Sequence, residues 1–256
     1  MKIGVELASF RLPLRDALCA AAECGVEAVE IDARGEITPQ IPRTGIRQLR
    51  KLLDDLRLRV AAISFRTRGG FSTPEGLDQR VSATKAAMEL AYHLGASVVV
   101  NHLGPIPTDP NSSSWRLLIE VLEDLGAYGN RVGGLLAAET GNESSEQLAR
   151  VLAAVPTGTL GIDLNPGKLL LGGFSPIEAV TRLGPSIFHV HASDAAVDSP
   201  QQGGHPVRPG RGAVDYPALL GALDEFGYRG YFTVQAPIGE DPRRDVAAAV
   251  KYLASL

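Results

Sequence analysis

Cysteine is almost absent from this chain, with two in 256 residues, Cys19 and Cys24. They fall five positions apart in one helical stretch, where side chains do not face each other closely enough to bridge. A disulfide framework is therefore excluded, and small buried thiols in a reducing, cytoplasmic setting are expected. An excess of either charge is missing as well. Lys and Arg total 25 against 29 Asp and Glu, for a formal net charge of −4, which leaves no electrostatic footprint for nucleic acid or an anionic membrane. No apolar run approaches the ~18 to 20 residues that span a bilayer. The opening Met1-Lys2-Ile3-Gly4-Val5-Glu6-Leu7 reads as a strand, without the charged region, long apolar stretch and small-residue cleavage site of a signal peptide. No linker, charge run or low-complexity tract divides the chain, so residues 1–256 are expected to form one domain.

What is present is alternation. Short runs of β-branched and small apolar residues at 2–7, 27–32, 59–65, 97–102, 132–138, 160–164, 186–191 and 230–235 read as strands. Amphipathic segments near 14–24, 43–57, 76–94, 112–129, 144–154, 176–183, 215–226 and 241–254 read as helices. Local signals agree with these boundaries: Ser144 or Ser145 as an N-cap, Pro176 at a first helical position, and Gly95 after His93-Leu94. Eight strands alternating with eight helices predict an α/β fold with a parallel sheet closed into a (β/α)8 TIM barrel. An open doubly wound sheet is the rival, but Leu7-Ala8-Ser9-Phe10 is not the glycine-rich turn such a sheet carries after an early strand. The longest irregular stretch, 192–213, contains Gln201-Gln202-Gly203-Gly204-His205 and Arg208-Pro209-Gly210-Arg211-Gly212, and a long loop on an active rim is more often functional than idle.

Four polar residues end apolar runs in the second half: Glu139, Asn165, His191 and Gln235. In a β/α barrel such positions converge on one rim, where active sites are built. Glu30, Asn101, His102, Arg66 and Arg68 end earlier strands and are candidates to line the same pocket, with only one of the adjacent Asn101 and His102 pointing inward. Asp163 and His189 lie two residues before Asn165 and His191, so strand alternation sends them to the same side one layer lower. Trp115 and Phe10 are read as packing, with stacking on a sugar face as the alternative.

Glu139-Thr140-Gly141, Asn165-Pro166-Gly167-Lys168, His189-Val190-His191-Ala192-Ser193-Asp194 and Pro209-Gly210-Arg211-Gly212 before Asp215 and Tyr216 together resemble the xylose isomerase-like barrels, in particular the sugar phosphate isomerase/epimerase group. The resemblance runs through the whole chain, because motif order follows strand order from Glu30 to Gln235. It implies one divalent ion, manganese, magnesium or zinc, held by Glu, Asp, His and Glu, with no organic cofactor. The matching positions here are Glu139, Asn165, His191 and Gln235, so two carboxylates of the family have become amides, and Lys168 stands where the family has a histidine. Such a set presents one negative charge to the ion in place of three, beside an ammonium that repels it. Asp163 is a substitute ligand, in a site of Glu139, Asp163, His189 and His191; a buried Asp–His pair is the other account of those residues.

The resemblance further implies a small carbohydrate-like substrate and proton abstraction beside a carbonyl, with Glu139 as general base and Lys168 and His189 as further catalytic candidates. Arg66, His102, Arg208 and Arg211 are candidates to bind substrate oxygens or a phosphate. For Lys168 a solvated position at the start of a loop is an equal reading, and a loop clamp around Asp194 or Asp215 is an equal reading for the two arginines of the 192–213 stretch. Because Gln235 can neither take nor return a proton, two-base epimerisation loses a partner, whereas one-base isomerisation or β-elimination survives. The expected activity is thus that of a sugar, sugar-phosphate or polyol-ketone isomerase or epimerase. A lyase or dehydratase, or a non-catalytic carbohydrate- or partner-binding descendant, is the alternative. The metal-dependent abasic-site endonucleases on this barrel use many histidines and carboxylates, which five histidines do not supply.

Overall fold

The computed structural model describes residues 1–199, 203–237 and 239–256. Eight parallel strands close into a barrel: β1 (Lys2–Glu6), β2 (Ala28–Asp32), β3 (Arg59–Ser64), β4 (Val98–Asn101), β5 (Leu135–Glu139), β6 (Leu160–Leu164), β7 (Ile187–Ala192) and a last strand, Tyr231–Val234, that pairs with both β7 and β1. The barrel expected from the alternation is the one observed. Helices α1 (Leu14–Glu23), α2 (Arg43–Asp55), α3 (Leu77–Leu94), α4 (Ser113–Val132) and α5 (Ser145–Ala154) connect the first six strands. Cys19 and Cys24 are unbridged. None of the described helices is long and apolar enough to cross a membrane.

The starts of α4 and α5 follow from side-chain caps that satisfy the first free N–H groups, whereas α1, α2 and α3 begin without one. Ser144, rather than Ser145, caps α5 in a reciprocal capping box with Gln147. Ser112 accepts from the backbone N–H of Trp115, and Gly95 and Gly133 end α3 and α4 in the left-handed conformation. One boundary moves: α4 runs on to Val132, so β5 starts at Leu135, later than the sequence reading placed it.

Two further corrections bear on the site. Asn165-Pro166-Gly167-Lys168 is not the start of a loop but the beginning of a short helix, α6 (Pro166–Leu171), with Asn165 as N-cap and Pro166 at its first position. The helix α7 (Pro176–Leu183) follows it. The stretch after β7 is not irregular throughout: β8 (Asp194–Ser199) and β9 (Gly203–Val207) pair antiparallel as a separate hairpin packed on α6. Gln201 and Gln202 of that stretch lie outside the described residues. The chain then continues through α8 (Tyr216–Glu225) and the closing strand, here β10 (Tyr231–Val234), to α9 (Pro242–Ala254).

Most of the apolar core lies between strands and helices, where residues such as Val29, Leu90, Leu122, Val180 and Leu253 are buried. Each fully buried aliphatic side chain of this kind contributes about 1.5–3 kcal/mol by leaving water. A second, small cluster of Ala62, Val98, Val100 and Ala137, with Phe188 against it, fills the inner side of the barrel. Phe188 falls at a register shift between β6 and β7, and Gly161 makes room for its ring: a Cβ there would come within 2.0 Å of it. Above this plug the inward positions are polar.

Candidate functional site

Strand alternation stacks the polar side chains in two layers. Glu6, Glu139 and the positions just beyond β6 and β10, Asn165 and Gln235, form the upper layer near the strand C-termini; Glu30, Asp163, His189 and His191 form the lower.

In the upper layer everything is organised by Glu139, whose side chain has 0% exposure. Arg66 grips it with two donors, Nε to Oε2 at 2.9 Å and Nη2 to Oε1 at 3.2 Å, a bidentate pairing. The Lys168 ammonium donates to Oε1 at 2.6 Å, the Asn165 amide donates to the same oxygen at 2.9 Å, and His102 Nε2 lies 3.3 Å from Oε2. Burial pushes the Glu139 carboxyl up, but the charges of Arg66, His191 and Lys168 outweigh it and hold the group well below the usual carboxylate range. A second carboxylate, Glu6, receives Arg66 Nη1 at 3.4 Å, the Gln235 amide at 3.2 Å and the Ser9 hydroxyl at 3.2 Å. Asn165 Nδ2 also donates to Gln235 Oε1 at 3.0 Å, closing the ring.

The short helix explains the orientation of Asn165. As N-cap its Oδ1 accepts the Lys168 N–H at 3.1 Å and the Ser193 hydroxyl, which turns the NH2 end toward Glu139 and Gln235. The same helix carries Lys168 to Glu139, and Gly141 (φ +145°) permits it: a Cβ there would sit 2.6 Å from the Lys168 Cβ.

In the lower layer Asp163 bridges two imidazoles, Oδ1 to His189 Nδ1 at 2.9 Å and Oδ2 to His191 Nδ1 at 2.6 Å. His189 Nε2 meets the Thr233 hydroxyl at 2.8 Å, while His191 Nε2 lies 2.9 Å from Glu30 Oε2. Burial lowers His191, yet the negative charges of Asp163 and Glu30 prevail and raise it well above the usual histidine range. Burial raises Asp163 and Glu30, and the His191 charge with the imidazole contacts brings both below their ordinary values.

A cavity of about 490 Å³ opens over the upper layer, with Arg66, Asn165, Lys168 and Gln235 in its floor and Leu171, Pro206, Val207, Ala236 and Pro237 among its walls. Two of those walls, Pro206 and Val207, belong to β9, so the hairpin shapes the site. Of the residues expected to bind substrate, Arg66 reaches this floor and His102 stands beside it. Burial is the largest influence on His102 and, with the nearby cations, keeps its imidazole below the usual range despite Glu139. Arg208 lies instead 3.8 Å from Asp245, and Arg211 is exposed. Asn101 is buried and its Oδ1 accepts from the backbone of Thr67 and His102, so it shapes the loop while His102 points to the site. Asp194 is a clamp: its two oxygens accept backbone N–H groups from Ala195, Val214, Gly210 and Gly212. Trp115 packs under Arg150, and Phe10 is in the core. Sequence reasoning passed over Glu6 and Ser193; Glu6 ends β1 just as Glu139 ends β5, which is the signal that could have found it.

The family model of the xylose isomerase-like TIM barrel matches residues 18–256. The chain belongs to that family. An inosose dehydratase from Geobacillus thermodenitrificans (strain NG80-2) is 24% identical over 224 residues, 76% of this chain and 74% of that protein. A xylose isomerase domain protein from Planctomyces limnophilus superposes with a TM-score of 0.87 at 26% identity, covering 99% of this chain and 96% of the other. A xylose isomerase-like TIM barrel protein from Mycobacterium smegmatis, solved in complex with magnesium, superposes with a TM-score of 0.82 at 17% identity over 99% and 95% of the two chains.

Among the described residues two groups of buried side chains bring donor atoms within 4.8 Å of one another, as a shared metal ion requires: Glu30, His189 and His191, and Glu139, Asp163 and His191. The four family positions do not fit a divalent ion in the same way. Glu139 Oε1 is occupied by an ammonium, a guanidinium and an amide NH2; Asn165 presents donors; Gln235 accepts from Asn165; and His191 faces Asp163 and Glu30 with its two nitrogens. A cation there would meet Lys168 at the oxygen it needs.

Proposed function

We propose that the protein transforms a small polyhydroxylated carbonyl compound by proton transfer beside the carbonyl, as a one-base dehydratase, with the side chains of Lys168 and Arg66 supplying positive charge at the barrel mouth. The observation that carries this reading is the Lys168 ammonium, 2.6 Å from a fully buried Glu139 and still 37% exposed at the cavity floor. Fixed cations aimed at the place where an enolate oxygen develops stabilise it without reorganisation, and removing such a donor typically costs about 10²–10³ in rate. Glu139, held as a carboxylate beneath these cations, anchors them; His102, whose neutral form burial favours, is the base.

In this scheme His102 takes the proton from the carbon next to the carbonyl, and the C–H electron pair becomes the enolate. Collapse of the enolate expels the β-hydroxyl, which leaves as water with the proton returned by the His102 imidazolium. Carbon–carbon unsaturation conjugated to the carbonyl results, and no oxidant or reductant is needed. Gln235, 3.2 Å from Glu6 and without basicity, supplies no second base, which favours elimination over epimerisation. The relatives named inosose dehydratase support the same choice of reaction class.

The test is proton NMR in deuterated water with inososes and ketohexoses. Wild-type protein is expected to exchange the α-hydrogen of a cyclic polyhydroxy-ketone and to form the unsaturated product, and Lys168→Ala to lose at least about 10²-fold in rate. Deuterium exchange with epimer formation and no unsaturated product would replace dehydration by epimerisation. Saturable binding without exchange of any α-hydrogen would make the protein a non-catalytic carbohydrate binder.

A further inference from the structure

We infer that Asn101 is a positioning residue of the rim: its side-chain oxygen joins the turn that carries Arg66 to the strand end that carries His102, and so fixes where the guanidinium and the imidazole stand against Glu139. The inference rests on the reading of His102 as the base and names what holds that base in place.

Direction comes first. Val98 and Val100 of β4 face the inside of the barrel, so Asn101 turns outward and His102 inward. Asn101 is fully buried, whereas the His102 side chain stays 33% exposed beside the cavity. Whatever Asn101 does for the reaction therefore passes through its neighbours.

Those neighbours are specific. Asn101 Oδ1 accepts the His102 backbone N–H at 2.8 Å, the Thr67 backbone N–H at 3.0 Å and the Thr67 hydroxyl at 3.3 Å. Three donors on one oxygen fix the orientation of the amide, because a flip would turn its NH2 against all of them. The Thr67 N–H belongs to the peptide unit that joins it to Arg66, and the carbonyl of that same unit accepts Arg34 Nη1 at 2.7 Å. The peptide is thus held at both ends, at one of them by the residue that also holds His102. Beyond this point the two segments stay laced together. The Phe71 N–H donates to the Leu103 carbonyl at 2.8 Å, the Ser72 hydroxyl donates to the Pro105 carbonyl at 2.8 Å, and a Cβ on Gly104 would come within 2.2 Å of the Gly70 Cα. From these joined segments Arg66 Nε and His102 Nε2 both approach Glu139 Oε2, at 2.9 Å and 3.3 Å.

The other half of the amide is idle: Nδ2 is buried and has no hydrogen-bond partner among the described residues. Buried amides normally find partners at both ends, and an unpaired donor is costly. A leucine would fill the same space without that donor, so packing alone does not account for the amide, and its oxygen is what the position uses.

The test pairs two isosteres. Asn101→Leu keeps the volume and removes the oxygen; Asn101→Asp keeps both. With the cyclic polyhydroxy-ketone that wild type turns over, Asn101→Leu should lose about 10²-fold in kcat at a KM within about threefold, the mark of misaligned reacting groups rather than lost binding, and Asn101→Asp should recover all but about tenfold. A purely structural role would lower the stability of Asn101→Leu and leave the kcat of the folded variant unchanged, and that result overturns the inference. Crystal structures give an arm that needs no turnover. In Asn101→Leu His102 Nε2 should leave the reach of Glu139 Oε2, and in Asn101→Asp it should stay; an undisplaced His102 in Asn101→Leu overturns the inference, whereas a wild type that exchanges no α-hydrogen sinks only the reaction reading. Where Asn101→Leu does not fold, the exposed Arg34 takes its place. Arg34→Met frees the other end of the Arg66–Thr67 peptide and should lower kcat about tenfold and displace the guanidinium from Glu139, and a variant with neither change overturns the inference.

Discussion

The two polar layers of this barrel solve one electrostatic problem in opposite ways. Both bury carboxylates that water cannot reach. At the rim the compensating charge is permanent and arrives on long side chains, Arg66 and Lys168, that remain 29% and 37% exposed. Below it the partners are two imidazoles carried on short side chains, and every member of the layer is at most 1% exposed. The rim is therefore open to a ligand, whereas the lower layer is closed. A single amide explains much of the division: Asn165, spent on capping α6, turns donors toward Glu139 and gives Lys168 its place.

The comparison breaks most severely at Asp163. Asp163→Ala removes the partner of both imidazoles and leaves polar atoms buried with nothing to bond, which typically costs about 3–5 kcal/mol. Lys168→Ala at the rim should cost only about 1 kcal/mol in stability, because its ammonium is partly hydrated and Arg66 still answers Glu139. Urea denaturation at pH 7 compares the two directly. Equal losses would mean that the layers are not energetically distinct.

A smaller effect tests whether Lys168 is what keeps an ion from the rim. Asn165→Asp together with Gln235→Glu restores the family's carboxylates but leaves the ammonium on Glu139 Oε1. Adding Lys168→Ala to that pair should tighten manganese binding by about 10²-fold, near 2.7 kcal/mol, in isothermal titration. Equal affinity of the double and triple variants would show that the ammonium is no obstacle.

The barrel was legible in the sequence because its signal is repeated: alternating short apolar runs and capped amphipathic segments leave little choice of topology. The rim residues Glu139, Asn165 and Gln235 were legible for the same reason, as polar positions at strand ends. What escaped depended on local chemistry that the repeat does not carry. Lys168 could be read as standing at the start of a loop, although a capping amide followed by proline at the first helical position, Asn165-Pro166, also starts a helix, and this decides where Asn165 points. The β8–β9 hairpin has Gly203, Gly204 and Pro206 in five residues, a composition that reads as loop and forms a strand only by pairing across to Asp194–Ser199. Arg208 looked like a phosphate ligand because the loop register that brings it toward Asp245 is set by the buried Asp194 clamp.

Glu36 sharpens the contrast from outside both layers, because among the described residues neither a cation nor an imidazole answers it. Its Oε2 accepts the Asp32 N–H at 2.7 Å, and its buried Oε1 has no hydrogen-bond partner among the described residues. Burial is the largest influence and, with the charges of Asp32, Glu6 and Glu30, raises its pKa to about 7. The native state therefore holds this proton more tightly than the unfolded chain, whose glutamate titrates near 4.3. Between those values folding favours the protonated form, so this residue's contribution to stability is present below about pH 4.3, declines as pH rises, and is gone above about pH 7. Discounted for partial exposure, the change is on the order of 1–2 kcal/mol. Glu36→Gln keeps an oxygen for the Asp32 N–H and cannot ionise, so the variant should match wild type near pH 4.5 and exceed it by that amount at pH 8 in urea denaturation. A wild-type advantage that instead grows toward pH 8 would mean that Glu36 is held as a carboxylate by a partner, like Glu139 at the rim.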